Sequence, residues 1–171
     1  MTSMEQRMAT TFGLDGDGAW QRHANPWSVY TRIPGPAALV AAIWTYAWIG
    51  WWSLIPIGAL LVWLVINPLF FEEPASTRHW ASRSVFGERL WSETDHASFP
   101  PEYRSPVPNI AQGMQVVGLV PMVLGLVIFD VAAAVCGMLI VQLGKCWYLD
   151  RMVLLFGAMK ERDPEVAAWE Y

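Results

Sequence analysis

Two long stretches almost without charge constrain this chain more than any other feature. No residue from Ile33 to Phe71 is charged, and from Ser105 to Gly144 the only charge is Asp130. As one helix the first stretch would be roughly 58 Å long, about twice a hydrocarbon core, so it is expected to fold back on itself. The turn should fall at Ile49-Gly50-Trp51-Trp52. Pro34 and Pro36 suit the first turn of the incoming helix, where no amide donor is needed, and Asn67-Pro68 suits the end of the outgoing one. The second stretch should turn at Asp130, and its last arm needs Lys145 to snorkel its ammonium to the interface. With 54% hydrophobic and only 15% charged residues in a chain of 171, the membrane class is favoured over a soluble domain.

The expected fold is therefore all-α and polytopic, with about four transmembrane helices near 35–48, 52–67, 108–128 and 131–150. They form two hairpins, and a re-entrant first hairpin is the alternative. The chain divides into a tail (1–32), a first hairpin (33–71), a polar loop (72–105), a second hairpin (106–151) and a C-terminal segment (152–171). Met1 to Arg32 lacks the apolar run of a secretory signal, so the first hairpin should direct insertion. All eleven Lys and Arg residues fall in the tail, in the polar loop, or at and beyond Lys145, and neither hairpin turn has one. The positive-inside rule then places both termini and the loop in the cytoplasm, with the helices in the inner membrane. The eleven tryptophans fit this map as interfacial anchors. Trp44, Trp48, Trp51 and Trp52 ring the outer turn, while Trp20, Trp27, Trp80, Trp91 and Trp147 lie at the inner boundary. Pigment or quinone contact is the sharper alternative.

Within the loop, Ser76 or Thr77 is placed to cap a helix reaching about Trp91. At 100° per residue Trp80, Phe86, Leu90 and Trp91 share one sector, with Arg78 and Arg89 opposite, which reads as an interfacial amphipathic helix. His79 and Arg83 fall inside the apolar sector. An arginine there requires a carboxylate, from Glu88, Glu93, Asp95 or Asp150, or else a bound phosphate.

The segments His23-Ala24-Asn25-Pro26-Trp27-Ser28, Asn67-Pro68, Ser82-Arg83-Ser84-Val85-Phe86-Gly87-Glu88-Arg89 and Leu149-Asp150-Arg151-Met152 together resemble a family of small bacterial and haloarchaeal integral membrane proteins. That family is described only as a domain of unknown function. The resemblance covers roughly residues 20 to 157, and it implies an architecture and no activity.

Two functional readings remain open. The first is a non-catalytic subunit or scaffold of a membrane complex, in contact with lipid and with a membrane protein or a second copy of itself. It is motivated by Gly113, Gly118, Gly125, Gly137 and Gly144, which permit close helix approach. The second is a membrane-embedded enzyme acting on a phosphorylated or lipid substrate at the cytoplasmic interface. Arg83, Arg89, Lys145 and Arg151 would hold the anion or headgroup, and His23, His79 or Glu88 would be the catalytic candidates. Transport ranks below both, because only Gln112, Gln115 and Gln142 offer a polar path. A single Glu93-Thr94-Asp95-His96, even with His23 and His79 added, does not make a metal site. No cofactor is expected, since no Gly-rich phosphate loop is present and Gly13 to Gly18 lacks a preceding strand. Cys136 and Cys146 are about 15 Å apart on a helix, beyond disulfide reach. Net charge is −4 and the loop arginines alternate with acids, which sets nucleic acid aside as a partner.

Overall fold

The computed structural model describes residues 17–171; Arg7 and the glycines at 13 and 16 lie outside them. The helices are α1 (Asp17–His23), α2 (Pro26–Arg32), α3 (Gly35–Trp44), α4 (Tyr46–Ile49), α5 (Leu54–Ile66), α6 (Trp80–Glu93), α7 (Val107–Val127), α8 (Val131–Lys160) and α9 (Pro164–Ala167). Short 3-10 turns at Gly50–Ser53, Asn67–Phe70, His96–Ser98 and Pro101–Tyr103 complete the regular structure, and no strand occurs among the described residues. The chain forms two compact units. An apolar unit comprises Thr31–Asn67 and Asn109–Tyr148, and a polar unit takes residues up to Tyr30, Pro68–Pro108 and Leu149–Tyr171.

In the apolar unit the first charge-free stretch does fold back. Gly50 holds a φ of 56°, a conformation that glycine adopts without penalty, and α3 packs on α5. Among the described residues four spanning helices are not found. Three helical stretches are long and apolar enough to cross a membrane, Pro26–Phe70, Pro101–Val127 and Val131–Lys160. The reason lies in the breaks at Thr45 and Gly50. They leave α3 with 10 residues and α5 with 13, about 15 and 20 Å long against a core of about 30 Å. Asn67, fully buried, donates from Nδ2 to the Thr31 hydroxyl at 3.0 Å and so ties the two ends of this hairpin together.

The second hairpin is built on glycine. A Cβ on Gly125 would lie 2.2 Å from the Ala134 nitrogen, and one on Gly137 would lie 2.2 Å from the Met122 nitrogen. Gly118 and Gly144 meet the opposite helix at 2.9 Å in the same way, so α7 and α8 touch backbone to backbone. Four of the five glycines read as partner-facing are thus used inside the hairpin; only Gly113 has open space beside it. Val40, Met122, Leu126 and Ala134 form the core of this unit, with Ile43, Trp44 and Met138 packed against it. At the turn Phe129 takes a φ of 57°, and the Asp130 amide reaches back to the Gly125 carbonyl at 2.8 Å, closing α7 in the Schellman manner. The Asp130 carboxylate then caps α8 by accepting from the Ala133 amide at 2.9 Å. The one charge in the second apolar stretch is therefore a helix cap.

The polar unit is organised around α6. The helix begins at Trp80 with His79 as its N-cap residue and no side-chain cap, later than the start at Ser76 or Thr77 expected from sequence. Nor does it present one apolar face to a membrane. Ala81, Ser82, Ser84, Val85, Phe86, Gly87, Leu90 and Trp91 are all buried, and at 100° per residue these positions encircle the axis. It is a core helix of the protein rather than an interfacial one. Ser82 donates to the Ala24 carbonyl at 2.7 Å at the end of α1. Gly87 lies against the Met152 backbone of α8, and Phe86 packs on Phe156 with ring centroids 5.4 Å apart. Helix α8 continues to Lys160, ten residues beyond the expected end, because Met152, Leu155 and Phe156 are buried in this core. Trp20 and Trp91, read from sequence as interfacial anchors, are 4% and 5% exposed in the same core.

Candidate functional site

The polar unit gathers most of the residues singled out from sequence, and its electrostatics centre on two carboxylates. Glu170, whose side chain is 8% exposed, accepts from Arg83 Nε at 2.6 Å and from Lys160 Nζ. Burial raises the Glu170 pKa, and the hydrogen bonds and charges of Lys160 and Arg83 outweigh it, holding the carboxyl below its ordinary value. Arg83 therefore does have a carboxylate, but from the C-terminal segment rather than from Glu88, Glu93, Asp95 or Asp150. Glu93 is the second centre. It accepts from Arg89 Nε at 2.9 Å and from the Trp20 indole at 2.9 Å, while the Arg89 guanidinium lies 4.2 Å over the Trp169 ring.

The residues around Glu170 explain how it comes to face Arg83. Ser76 and Thr77, not needed as helix caps, bind the last residues of the chain. The Thr77 amide donates to the Tyr171 carbonyl at 2.9 Å, the Tyr171 amide donates to the Thr77 hydroxyl at 2.8 Å, and that hydroxyl donates to the Trp169 carbonyl at 3.0 Å. Trp169 also packs on Phe86 at 5.9 Å. This clasp was missed from sequence, because no local period links positions 94 apart.

Arg151 stands apart from both centres. Its Nη2 donates to the neighbouring Asp150 at 3.3 Å, and its Nε is buried with no hydrogen-bond partner. It borders a small, partly open cleft lined also by Trp91, Glu102, Tyr103, Ser105 and Leu154. The Ser105 hydroxyl accepts from the Val107 amide at 3.3 Å, at the start of α7, and Glu102 faces Arg162 at 4.0 Å.

The other candidates lie on different elements. Lys145 belongs to the apolar unit, with its ammonium 5.3 Å from the Tyr148 ring. His79 is exposed at the head of α6 and Glu88 is half-buried, about 13 Å farther along the axis. His23 packs edge-on to Trp20 at 6.0 Å. In the Glu93-x-x-His96 sequence the carboxylate serves Arg89 and Trp20, while His96 Nε2 meets the Trp91 carbonyl at 2.8 Å and its ring lies 4.0 Å from that of Trp91. Cys136 and Cys146 are free thiols. Gln142 donates to the Cys146 sulfur at 3.5 Å, and Gln115 donates to the Ala111 carbonyl one turn back at 3.4 Å.

Among the described residues the protein is all-helical, with three helical stretches long and apolar enough to cross a membrane, a glycine-seamed hairpin and a polar unit closed by internal ion pairs. The chain belongs to the Family of unknown function (DUF6653), whose model matches residues 3–170. No curated protein matches the chain, and no solved structure does.

Proposed function

We propose that the chain is a multi-pass inner-membrane protein that acts as a non-catalytic subunit of a membrane assembly, with its polar unit and both termini in the cytoplasm. The observation that carries this reading is α5, a wholly apolar helix of 13 residues none of which is buried. Such a surface needs lipid or another helix over it. Two of the four anion holders of the enzymatic alternative, Arg83 and Arg89, are met by internal carboxylates, which weighs against it. Its acid-base candidates His79 and Glu88 do not converge. Native membranes solubilised in mild detergent and resolved by blue-native electrophoresis should show the protein in a species larger than its 19.2 kDa chain plus micelle. A lone chain, unchanged by prior cross-linking in the membrane, would refute the subunit role.

The orientation is testable separately. In a background with Cys136 and Cys146 replaced, single cysteines at Arg22, Arg78 and Arg162 should react with an impermeant maleimide only after the membrane is opened, and those at Gly50 and Asp130 should react in intact cells. Arg78 is chosen within the loop because it is exposed, whereas the Arg89 side chain is 14% exposed. Labelling of Arg78 from outside reverses the assignment. The basic residues on which it rests would then all lie on the wrong side. The cytoplasmic positions are unchanged whether the first hairpin crosses the bilayer or dips into it, because Arg32 and Glu72 flank it on one side, whereas labelling of Gly50 in intact cells is expected only if it crosses.

A further inference from the structure

We propose that two copies of the chain exchange residues 163–171 reciprocally, each laying this segment in the polar unit of the other. The exchange rests on the subunit reading above and deepens it, naming the partner and the contact. Its basis is that the polar unit reads three consecutive residues, each by its own groups. The Trp169 ring meets Phe86 at 5.9 Å and the Arg89 guanidinium at 4.2 Å. The Glu170 carboxylate accepts from Arg83 on α6 and from Lys160 at the end of α8. Tyr171 pairs its backbone with Thr77, and its hydroxyl donates to Gln21 Oε1 at 3.3 Å. Backbone pairing combined with separate seats for side chains is how folded domains hold an extended peptide. Every group of the seat precedes residue 163, so a second copy presents the same seat, and the ligand that matches it is the same segment.

The tether permits the exchange. From Glu161 to Ala168 only Val166 is buried, so little apolar packing commits the segment to its own chain. Glu161, Arg162 and Asp163 alone join α8 to α9, and their turn stands on two amides, Arg162 and Asp163, that share the Met159 carbonyl at 3.0 and 2.9 Å. Asp163 is already extended, with φ −127° and ψ 112°, as the ring of a following proline requires. Letting go of the Met159 carbonyl therefore straightens the path. Those two hydrogen bonds pass to water, while the contacts at the seat are remade between copies. Short hinges of this kind invite swapping, which is a low-cost route to a dimer. Copies held in one membrane with the same orientation also meet at high effective concentration.

The test uses the full chain. Wild type is co-expressed with a copy that carries Gly157→Ala, where the added Cβ meets open space, and Ala168→Ser, at an exposed position. In mild detergent a water-soluble carbodiimide joins Lys160 to the Glu170 carboxylate it touches. Trypsin then cuts after Arg151 and Arg162, releasing residues 152–162 linked to 163–171, and the two tags show by mass whether both peptides came from one copy. With random pairing of exchanged copies about half of the links should be hybrid. Links confined to single copies overturn the exchange. A second measurement does not depend on reagent reaching Glu170: Ser76→Cys with Tyr171→Cys, in a background with Cys136 and Cys146 replaced, should run as a covalent dimer before reduction, and Tyr171→Cys alone should not. A monomer band for the pair, or an equal dimer from Tyr171→Cys alone, overturns the exchange. Single-copy links in a species that is large on blue-native electrophoresis remove the exchange and leave the subunit role standing, whereas a lone chain removes both.

Discussion

Gly87→Ala is expected to unfold the polar unit at ordinary temperature or to lower its melting point sharply. A methyl group built on Gly87 falls 2.1 Å from the Met152 carbonyl oxygen and 2.5 Å from its carbonyl carbon. These are backbone atoms of a long helix and cannot rotate away as a side chain would. Overpacking of well-filled cores costs about 1–3 kcal/mol and sometimes more, and a clash with backbone belongs at the upper end. The gain of about 1 kcal/mol in helix propensity on replacing glycine by alanine does not offset it. Gly157→Ala is the matched control: it lies on α8, nothing is within 4 Å of the added Cβ, and its stability should stay level or rise slightly. Unfolding followed by tryptophan fluorescence reports directly, since Trp20 and Trp91 are buried in this unit. An unchanged midpoint for Gly87→Ala would mean that α6 and α8 do not cross there.

The second large effect is expected at Glu170. Glu170→Gln removes the carboxylate that joins Arg83 and Lys160, leaving two cations near a neutral amide. Breaking a buried pair costs about 3–5 kcal/mol, but the Arg83 and Lys160 side chains are 38% and 34% exposed, so solvent screening reduces this to about 1–2 kcal/mol. The pH dependence gives the effect a signature. Because the folded-state pKa of Glu170 lies below its ordinary value near 4.5, its contribution is complete above that value and is lost as pH falls through the lower folded-state pKa. Wild type and Glu170→Gln should therefore differ most near neutrality and converge in acid. A constant difference from pH 7 to strong acid would show that Glu170 acts through packing rather than through charge.

The apolar half of the fold was legible in sequence because its signals are local. The two turns, the near-exact ends of α7 at 107 and 127 and the start of α8 at 131 follow from charge-free length and from single punctuating residues. What failed there was a matter of length. Thr45 donates its hydroxyl to the Ala42 carbonyl at 2.7 Å at the end of α3, and with Gly50 it divides the first stretch into arms too short to count as spans. The polar half failed for a different reason. A wheel drawn on α6 assumes that one side meets water, whereas α1, α8 and the C-terminal residues surround it. Ser82, Ser84 and Gly87, polar or featureless in sequence, are therefore as buried as Val85 and Phe86. Among the candidate residues, Arg83 was marked as needing a carboxylate or a phosphate; the carboxylate it meets is Glu170, 87 positions away, and no period in the sequence connects them. Arg151 stood out only through its motif; the unmet Nε donor is a property of three-dimensional packing.

The contact between Thr77 and Tyr171 spans 94 positions, and everything between them includes both arms of the glycine-seamed hairpin. During synthesis the clasp cannot form until that hairpin has been made, so α6 leaves the ribosome without the partners that enclose it, with Phe86, Leu90 and Trp91 still uncovered. Non-local pairings of this kind delay closure and expose intermediates to aggregation. The order of events is thus imposed by connectivity: the apolar unit can be in place first, and the polar unit waits for it.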